Sequence, residues 1–158
     1  MKKLIFFLLL SVFMILATAP KSSADNPVNF YLRGGVITES SFSFNPLIGL
    51  AGANIDINLG EVLMISPECD LLIYQFKFNP VFITPGVLLN VRASVAYFGA
   101  GLSLPIIIGS GYTLEGDFLL KFNAGFKADF IKIQAFMFTP MENAFSYNWF
   151  GATVGFGF

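Results

Sequence analysis

The sequence contains no histidine and only one cysteine, Cys69. Histidine is the usual general base at neutral pH, so its absence excludes the Ser-His and Cys-His types of nucleophilic catalysis. A lone cysteine can form neither an intrachain disulfide nor a thiolate metal cluster. The sequence therefore predicts no metal site and no cofactor.

Charge is also scarce. Charged residues make up 12% of the chain and hydrophobic residues 55%, with 20 phenylalanines. A soluble domain carries about 25% charged residues. No basic run or face is present to neutralise phosphates, which argues against a nucleic-acid partner. A chain with so little charge needs a surrounding other than water for much of its surface, and the composition favours lipid.

The N-terminus has the pattern of an export signal. Two lysines near the start precede an apolar stretch, and the small residues Ser22 and Ala24 follow it. This pattern predicts a signal peptide over 1–24, cleaved before Asp25, and a single domain over 25–158. The alternative is an uncleaved membrane anchor, which the short segment and its small residues disfavour. The mature chain would carry six basic and ten acidic groups, a formal net charge of −4.

A helical membrane span needs about 20 apolar residues. The one uncharged candidate, 93–114, contains Pro105 and four glycines, which disfavour a helix. The other structure that satisfies every backbone group in lipid is a closed β-barrel. Period-two alternation supports it, most clearly over Asp117–Ala128, where Phe, Leu and Ala occupy even positions while Lys and Asn occur among the odd ones.

Turn signals divide the chain into eight segments of this kind, with tight connections alternating with longer ones. The predicted fold is all-β, an eight-stranded antiparallel up-and-down transmembrane β-barrel. A soluble ligand-binding barrel is the alternative, but too few charges are present to cover an exterior in water. The predicted strands are 28–37, 46–58, 63–76, 84–92, 95–108, 116–128, 130–139 and 148–158, and the longer loops are 38–45, 77–83, 109–115 and 140–147.

The last strand carries the most specific pattern, ending in Gly-Phe-Gly-Phe. With the signal peptide and the alternating segments, it resembles the small bacterial outer-membrane β-barrel proteins, the OmpX-like and OmpA-membrane-domain-like barrels. The resemblance implies location in a bacterial outer membrane, contact with its lipid, and a C-terminal signal that the barrel-assembly machinery recognises during insertion. The residues at the matching alternate positions are Phe150, Val154, Phe156 and Phe158.

Strand parity places a set of charged side chains inside the barrel. An eight-stranded barrel has an interior only wide enough for side chains, so these charges must be paired. Glu68 and Asp70, the only plausible paired carboxylates for catalysis, are better interpreted as partners of inward Lys and Arg; we predict no enzyme. The predicted interior charges are Arg33, Asp56, Glu68, Asp70, Arg92, Lys121, Lys127 and Lys132, with Asp117 and Asp129 near strand ends.

Two functions remain open from the sequence. The favoured one is a non-enzymatic outer-membrane protein that contributes to envelope structure or surface interaction. The alternative is a small channel, porin-like, for hydrophobic or small polar solutes. Aromatic residues in 40–44, 78–82 and 144–147 fit either an aromatic girdle at the membrane interface or an adhesive surface. The sequence does not identify a surface ligand.

Overall fold

The computed structural model describes residues 27–39, 47–75, 77–128 and 130–158. The predicted signal peptide therefore lies outside the described residues, as do Asp129 and the aromatic segment 40–44. Within these ranges, ten strands form one sheet. They are β1 (Val28–Glu39), β2 (Ile48–Leu59), β3 (Leu63–Tyr74), β4 (Val81–Ala93), β5 (Ala96–Ser103), β6 (Ile106–Gly109), β7 (Tyr112–Glu115), β8 (Leu119–Ala128), β9 (Ile131–Pro140) and β10 (Trp149–Gly157).

These ten strands make eight barrel walls, where a wall is one passage of the chain along the side of the barrel. β5 and β6 both pair with β4 and are two parts of one wall, interrupted at Leu104 and Pro105. β7 and β8 continue the next wall, since β6 pairs with β7 and β5 pairs with β8. All pairings are antiparallel, and the barrel closes where β1 pairs with β10 from Tyr31–Gly157 to Glu39–Trp149. The predicted eight-stranded up-and-down barrel is confirmed.

The predicted loop over 109–115 is wrong. Only Ser110 and Gly111 form the turn, and the residues on either side pair as the β6–β7 hairpin. Gly111, the second residue of the turn, has φ +83°, a backbone conformation that favours glycine at this position. The uncharged stretch 93–114 is accordingly strand and turn. Within the part of the chain that the structure describes, no helix has the length and apolarity to cross a membrane.

The two ends of the barrel differ. Val28 and Gly157 lie at one end, called here the termini end, together with the tight turns after β2, β4 and β8. The opposite end, called the loop end, carries the connections after β1, β3 and β9 and the β6–β7 hairpin. Outward positions between the two ends are apolar and exposed, including Leu32, Leu89, Phe98, Phe126 and Ile133. Cys69 is also exposed, on β3.

Three large rings inside the barrel each lie against a glycine of the neighbouring strand. A Cβ atom added at any of these glycines would overlap the ring. The three rings are almost completely buried, so the missing side chain opposite each one supplies the volume that the ring fills. The pairs are Phe136 with Gly151, Tyr97 with Gly125, and Tyr31 with Gly157.

Candidate functional site: the barrel interior

Four charged side chains meet near the middle of the barrel, and we call them the charge tetrad: Arg33, Glu68, Asp70 and Lys121. The Arg33 Nη2 atom donates to Glu68 Oε2 at 2.7 Å and to Asp70 Oδ1 at 2.6 Å. Lys121 Nζ donates to Glu68 Oε1 and lies 3.2 Å from Asp70 Oδ2. Two cations thus face two carboxylates, and each cation contacts both of them.

The tetrad is almost fully removed from solvent, with side-chain exposures of 2% or less. Buried ions cost several kcal/mol each in lost hydration unless partners compensate. Here compensation is extensive, because the Lys121 ammonium also lies 4.4 Å from the Phe136 ring centroid and 4.8 Å from that of Phe138. The tetrad is therefore a neutral, tightly bonded group that crosses the lumen between β1, β3 and β8.

Toward the termini end, Asp56 organises a second group. Its Oδ1 atom accepts hydrogen bonds from Lys132 Nζ at 2.7 Å, Asn54 Nδ2 at 2.7 Å and Ser66 Oγ at 2.8 Å. Lys127 Nζ lies 3.5 Å from Asp56 Oδ2. Two lysines thus share one carboxylate, and its other hydrogen bonds come from neutral polar side chains.

Toward the loop end, the interior becomes apolar. The buried side chains of Ile37, Leu50, Phe136 and Phe138 form a cluster. Half-buried apolar residues complete this layer, which we call the apolar cap: Ile48, Leu72, Leu119 and Trp149 pack against the buried four. The register places the cap directly beyond the tetrad, since Gly52 opposite Arg33 is followed by Leu50 and then Ile48 along β2.

A cavity of about 810 Å³ lies at the termini end. Its lining includes Asn29, Tyr31, Arg92, Lys127 and Phe130. Arg92 Nη1 donates to Asn58 Oδ1 at 2.8 Å, and Lys127 connects the cavity to Asp56. Along the barrel axis, the interior thus passes from an open polar cavity through the Asp56 group and the tetrad to the apolar cap.

The eight charges predicted on the strands lie on inward positions. Four of them meet in the tetrad, Asp56 is bonded to two more, Lys127 and Lys132, and Arg92 is half-buried at the cavity. Asp117 is exposed, in the segment that joins β7 to β8. Val154 and Phe156 are exposed on the outer face of β10, Phe150 on the same strand is half-buried, and Phe158, directly after the strand, is exposed.

Sequence reasoning missed the neutral polar side chains that connect the charges. Asn123 Nδ2 donates to Asn90 Oδ1 at 2.9 Å, and Asn90 Nδ2 donates to Ser66 Oγ at 3.0 Å. The Gln134 Oε1 atom accepts from the Tyr97 hydroxyl at 3.2 Å. These residues have the same strand parity as the charges, so extending the parity argument to Asn, Gln and Ser would have found them.

Among the residues that the structure describes, no group of three or more His, Cys, Asp or Glu side chains is arranged to hold a metal ion. Most of the interior polar side chains described above bind one another and so join neighbouring strands, although buried atoms such as Asn123 Oδ1 and Gln134 Nε2 have no hydrogen-bond partner within the protein. This arrangement of polar side chains can stabilise a barrel whose lumen is filled by side chains.

No protein-family model matches the sequence, and no curated protein matches it either. Solved structures do match the fold. A de novo designed transmembrane β-barrel superposes with a TM-score of 0.56 at 9% identity, over 85% of this chain and 98% of the design. Neisserial surface protein A (NspA) superposes with a TM-score of 0.51 at 12% identity, over 83% of this chain and 96% of NspA. The N-terminal β-barrel domain of Pseudomonas aeruginosa OprF gives 0.49 at 14% identity, over 82% and 97%.

At such identities the likeness concerns the fold alone. The designed transmembrane β-barrel and NspA are both covered over nearly their whole length. The chain therefore has the fold of a small transmembrane β-barrel. The outward apolar positions and inward polar positions agree with this fold.

Proposed function

We propose that this chain is an integral protein of a bacterial outer membrane, with a filled, non-conducting barrel that contributes to envelope structure or surface interaction and catalyses no reaction. The observation that carries the proposal is the filled interior. The charge tetrad crosses the lumen, and the apolar cap lies between it and the loop end. A solute would have to separate buried ion pairs and then cross an apolar layer.

The location in the outer membrane is part of the same proposal. It is supported by the exposed apolar belt, by the fold shared with NspA, and by the N-terminal sequence pattern that predicts a signal peptide. In this proposal the chain contacts outer-membrane lipid and is inserted by the barrel-assembly machinery through the C-terminal pattern of Phe150, Val154, Phe156 and Phe158. N-terminal sequencing of the protein isolated from outer membranes tests the export step, and the expected first residue is Asp25.

Planar-bilayer recording of the refolded mature chain tests the filled interior. We expect no unitary conductance from protein that shows a heat-modifiable band on gels, because the charge tetrad and the apolar cap both obstruct the lumen. A variant with Phe138→Ala, Lys121→Ala and Glu68→Ala shortens part of the cap and removes one ion pair of the tetrad. It is the matched control that should conduct. Steady single-channel steps from the unaltered chain would overturn the proposal.

The second candidate is a small channel, and one observation favours it. The cavity of about 810 Å³ at the termini end has Arg92, Lys127 and Asn29 among its lining side chains and would admit small solutes partway into the barrel. A channel also needs a passage through the tetrad and the apolar cap. Unitary conductance in the same recording would support this candidate, and its absence would exclude it.

A further inference from the structure

The β6–β7 hairpin at the loop end has one unpaired edge. β7 pairs with β6 along its whole length, from Gly109–Tyr112 to Ile106–Glu115. On the opposite side, β9 ends at Pro140, which pairs with Leu119 of β8. Within the described ranges of the chain, no strand pairs with the second edge of β7. At the loop end β4, β6 and β7 thus lie side by side, and β7 is the edge strand.

The hairpin geometry identifies which backbone groups this edge offers. In a hairpin with a two-residue turn, the residues flanking the turn exchange hydrogen bonds, and the pattern then alternates along the strand. The N–H and C=O groups of Tyr112 and Leu114 therefore point toward β6, and those of Thr113 and Glu115 point away from it. All four residues of β7 are exposed.

A side chain from another loop holds the hairpin in place. The Ser110 N–H donates to Asn79 Oδ1 at 3.1 Å, and Asn79 Nδ2 donates to Ser110 Oγ. Asn79 belongs to the β3–β4 connection, so the tip of the hairpin is bonded to the neighbouring loop. An edge that is already ordered loses little conformational freedom on binding, which favours its use as a docking strand.

The charge around this edge limits the partner. Most of the exposed charged side chains at the loop end in the described ranges are acidic: Glu39, Glu115, Asp117 and Glu142, against the single base Lys77. Glu115 lies on β7 itself, and Asp117 follows two residues later. A strand that pairs here would place its side chains next to carboxylates, and cross-strand pairs of opposite charge stabilise a sheet.

We propose that the free edge of β7 binds an extended, lysine- or arginine-bearing segment of another polypeptide as an added β-strand. Backbone hydrogen bonds to Thr113 and Glu115 provide the attachment, and the acidic surroundings select basic segments. A second copy of the chain fits less well. Two barrels inserted in the same direction would bring their β7 strands together in parallel, which is the less stable pairing per residue.

This inference rests on the proposed function, because it requires the loop end to face the outside of an inserted barrel. The test uses the full mature chain in lipid nanodiscs and an eight-residue peptide that alternates lysine with valine or threonine. Thr113→Pro removes an outward N–H from the edge, and Thr113→Val, which keeps it, is the matched control. A peptide alternating lysine with proline has the same charge but cannot pair as a strand.

We expect the lysine–valine/threonine peptide to bind and to slow amide hydrogen exchange at Thr113 and Glu115. Thr113→Pro should weaken binding by about tenfold or more, while Thr113→Val should change it by less than about twofold. Glu115→Gln should also weaken binding. The inference is overturned if the peptide does not bind, if the lysine–proline peptide binds equally well, or if Thr113→Pro binds as the control does.

Peptide binding in nanodiscs, together with planar-bilayer recording of the same refolded protein, separates the two proposals. A heat-modifiable band with no conductance and no peptide binding would retain the filled barrel and overturn only the docking edge. Conductance together with binding that depends on Thr113 would overturn the filled barrel and retain the edge. Failure of the chain to insert into lipid would overturn both.

Discussion

At the scale of single residues, the tetrad is the feature most sensitive to change. Its four charges cancel, so removing one cation leaves a carboxylate buried with less compensation. Breaking a buried ion pair from one side costs about 3–5 kcal/mol, whereas an exposed pair is worth about 0–1 kcal/mol. Individual inward charges therefore matter far more to this barrel than charges on its loops.

Lys121→Met should lower the free energy of unfolding by about 3 kcal/mol, because Glu68 and Asp70 then share only Arg33. Urea unfolding in lipid vesicles measures the change. Lys77→Met, at an exposed position, is the matched control and should have almost no effect. Adding Glu68→Gln to Lys121→Met restores neutrality and should recover part of the loss. Equal stability of Lys121→Met and the unaltered chain would contradict a bonded tetrad.

Strand parity led to the prediction that these charges point inward, but it could not identify which charge bonds which. Arg33 bonds Asp70 and Glu68 because β1, β2 and β3 are staggered so that Gly52 lies between Arg33 and Asp70. Parity depends only on whether a position is odd or even, so it determines the face of a strand. The height of a side chain along the barrel axis depends on the register of every strand, and no local sequence pattern determines that register.

At the scale of the strand, regular alternation made the eight walls predictable, and short segments were the exception. β6 and β7 have four residues each, and their neighbours Pro105, Ser110 and Gly116 are all turn formers. A wide loop was the natural interpretation of such a sequence. The hairpin forms because Ile106–Ile108 also pairs with β4, a long-range contact that outweighs the local turn signals.

The last strand provides a prediction about assembly. Phe156→Ala with Phe158→Ala should reduce the amount of heat-modifiable protein in outer membranes of cells, because the terminal pattern is what the assembly machinery is proposed to recognise. The purified variant should still refold in detergent. The control changes two lipid-facing aromatics elsewhere, Phe98→Ala with Phe126→Ala. If both pairs reduce insertion equally, the loss reflects lipid contact and not a signal.

At the scale of the whole molecule, the two ends should face opposite sides of the membrane. An even number of walls places both termini with the tight turns, as in outer-membrane barrels, whose short turns are periplasmic. The loop end, with its acidic side chains, would then face outward. The lone cysteine makes this orientation measurable, because Cys69 can be replaced and a new thiol placed at either end.

In a Cys69→Ser background, Glu142→Cys should react with a membrane-impermeant maleimide on intact cells, since position 142 lies in the exposed β9–β10 loop. Glu61→Cys, in the tight turn after β2, should react only after the outer membrane is permeabilised. Cys69 of the unaltered chain should stay unreactive in both states because it faces lipid. Labelling of Glu61→Cys on intact cells would reverse the proposed orientation.

The rings that lie against glycines also bear on how the barrel finds one arrangement. A strand that slips by two residues keeps its apolar side outward, so hydrophobicity alone does not penalise the error. Ring volume does. After such a slip between β9 and β10, Phe136 would face Thr153 or Trp149 in place of Gly151. Each of these glycines therefore favours a single register, because only in that register does its missing side chain leave room for the facing ring.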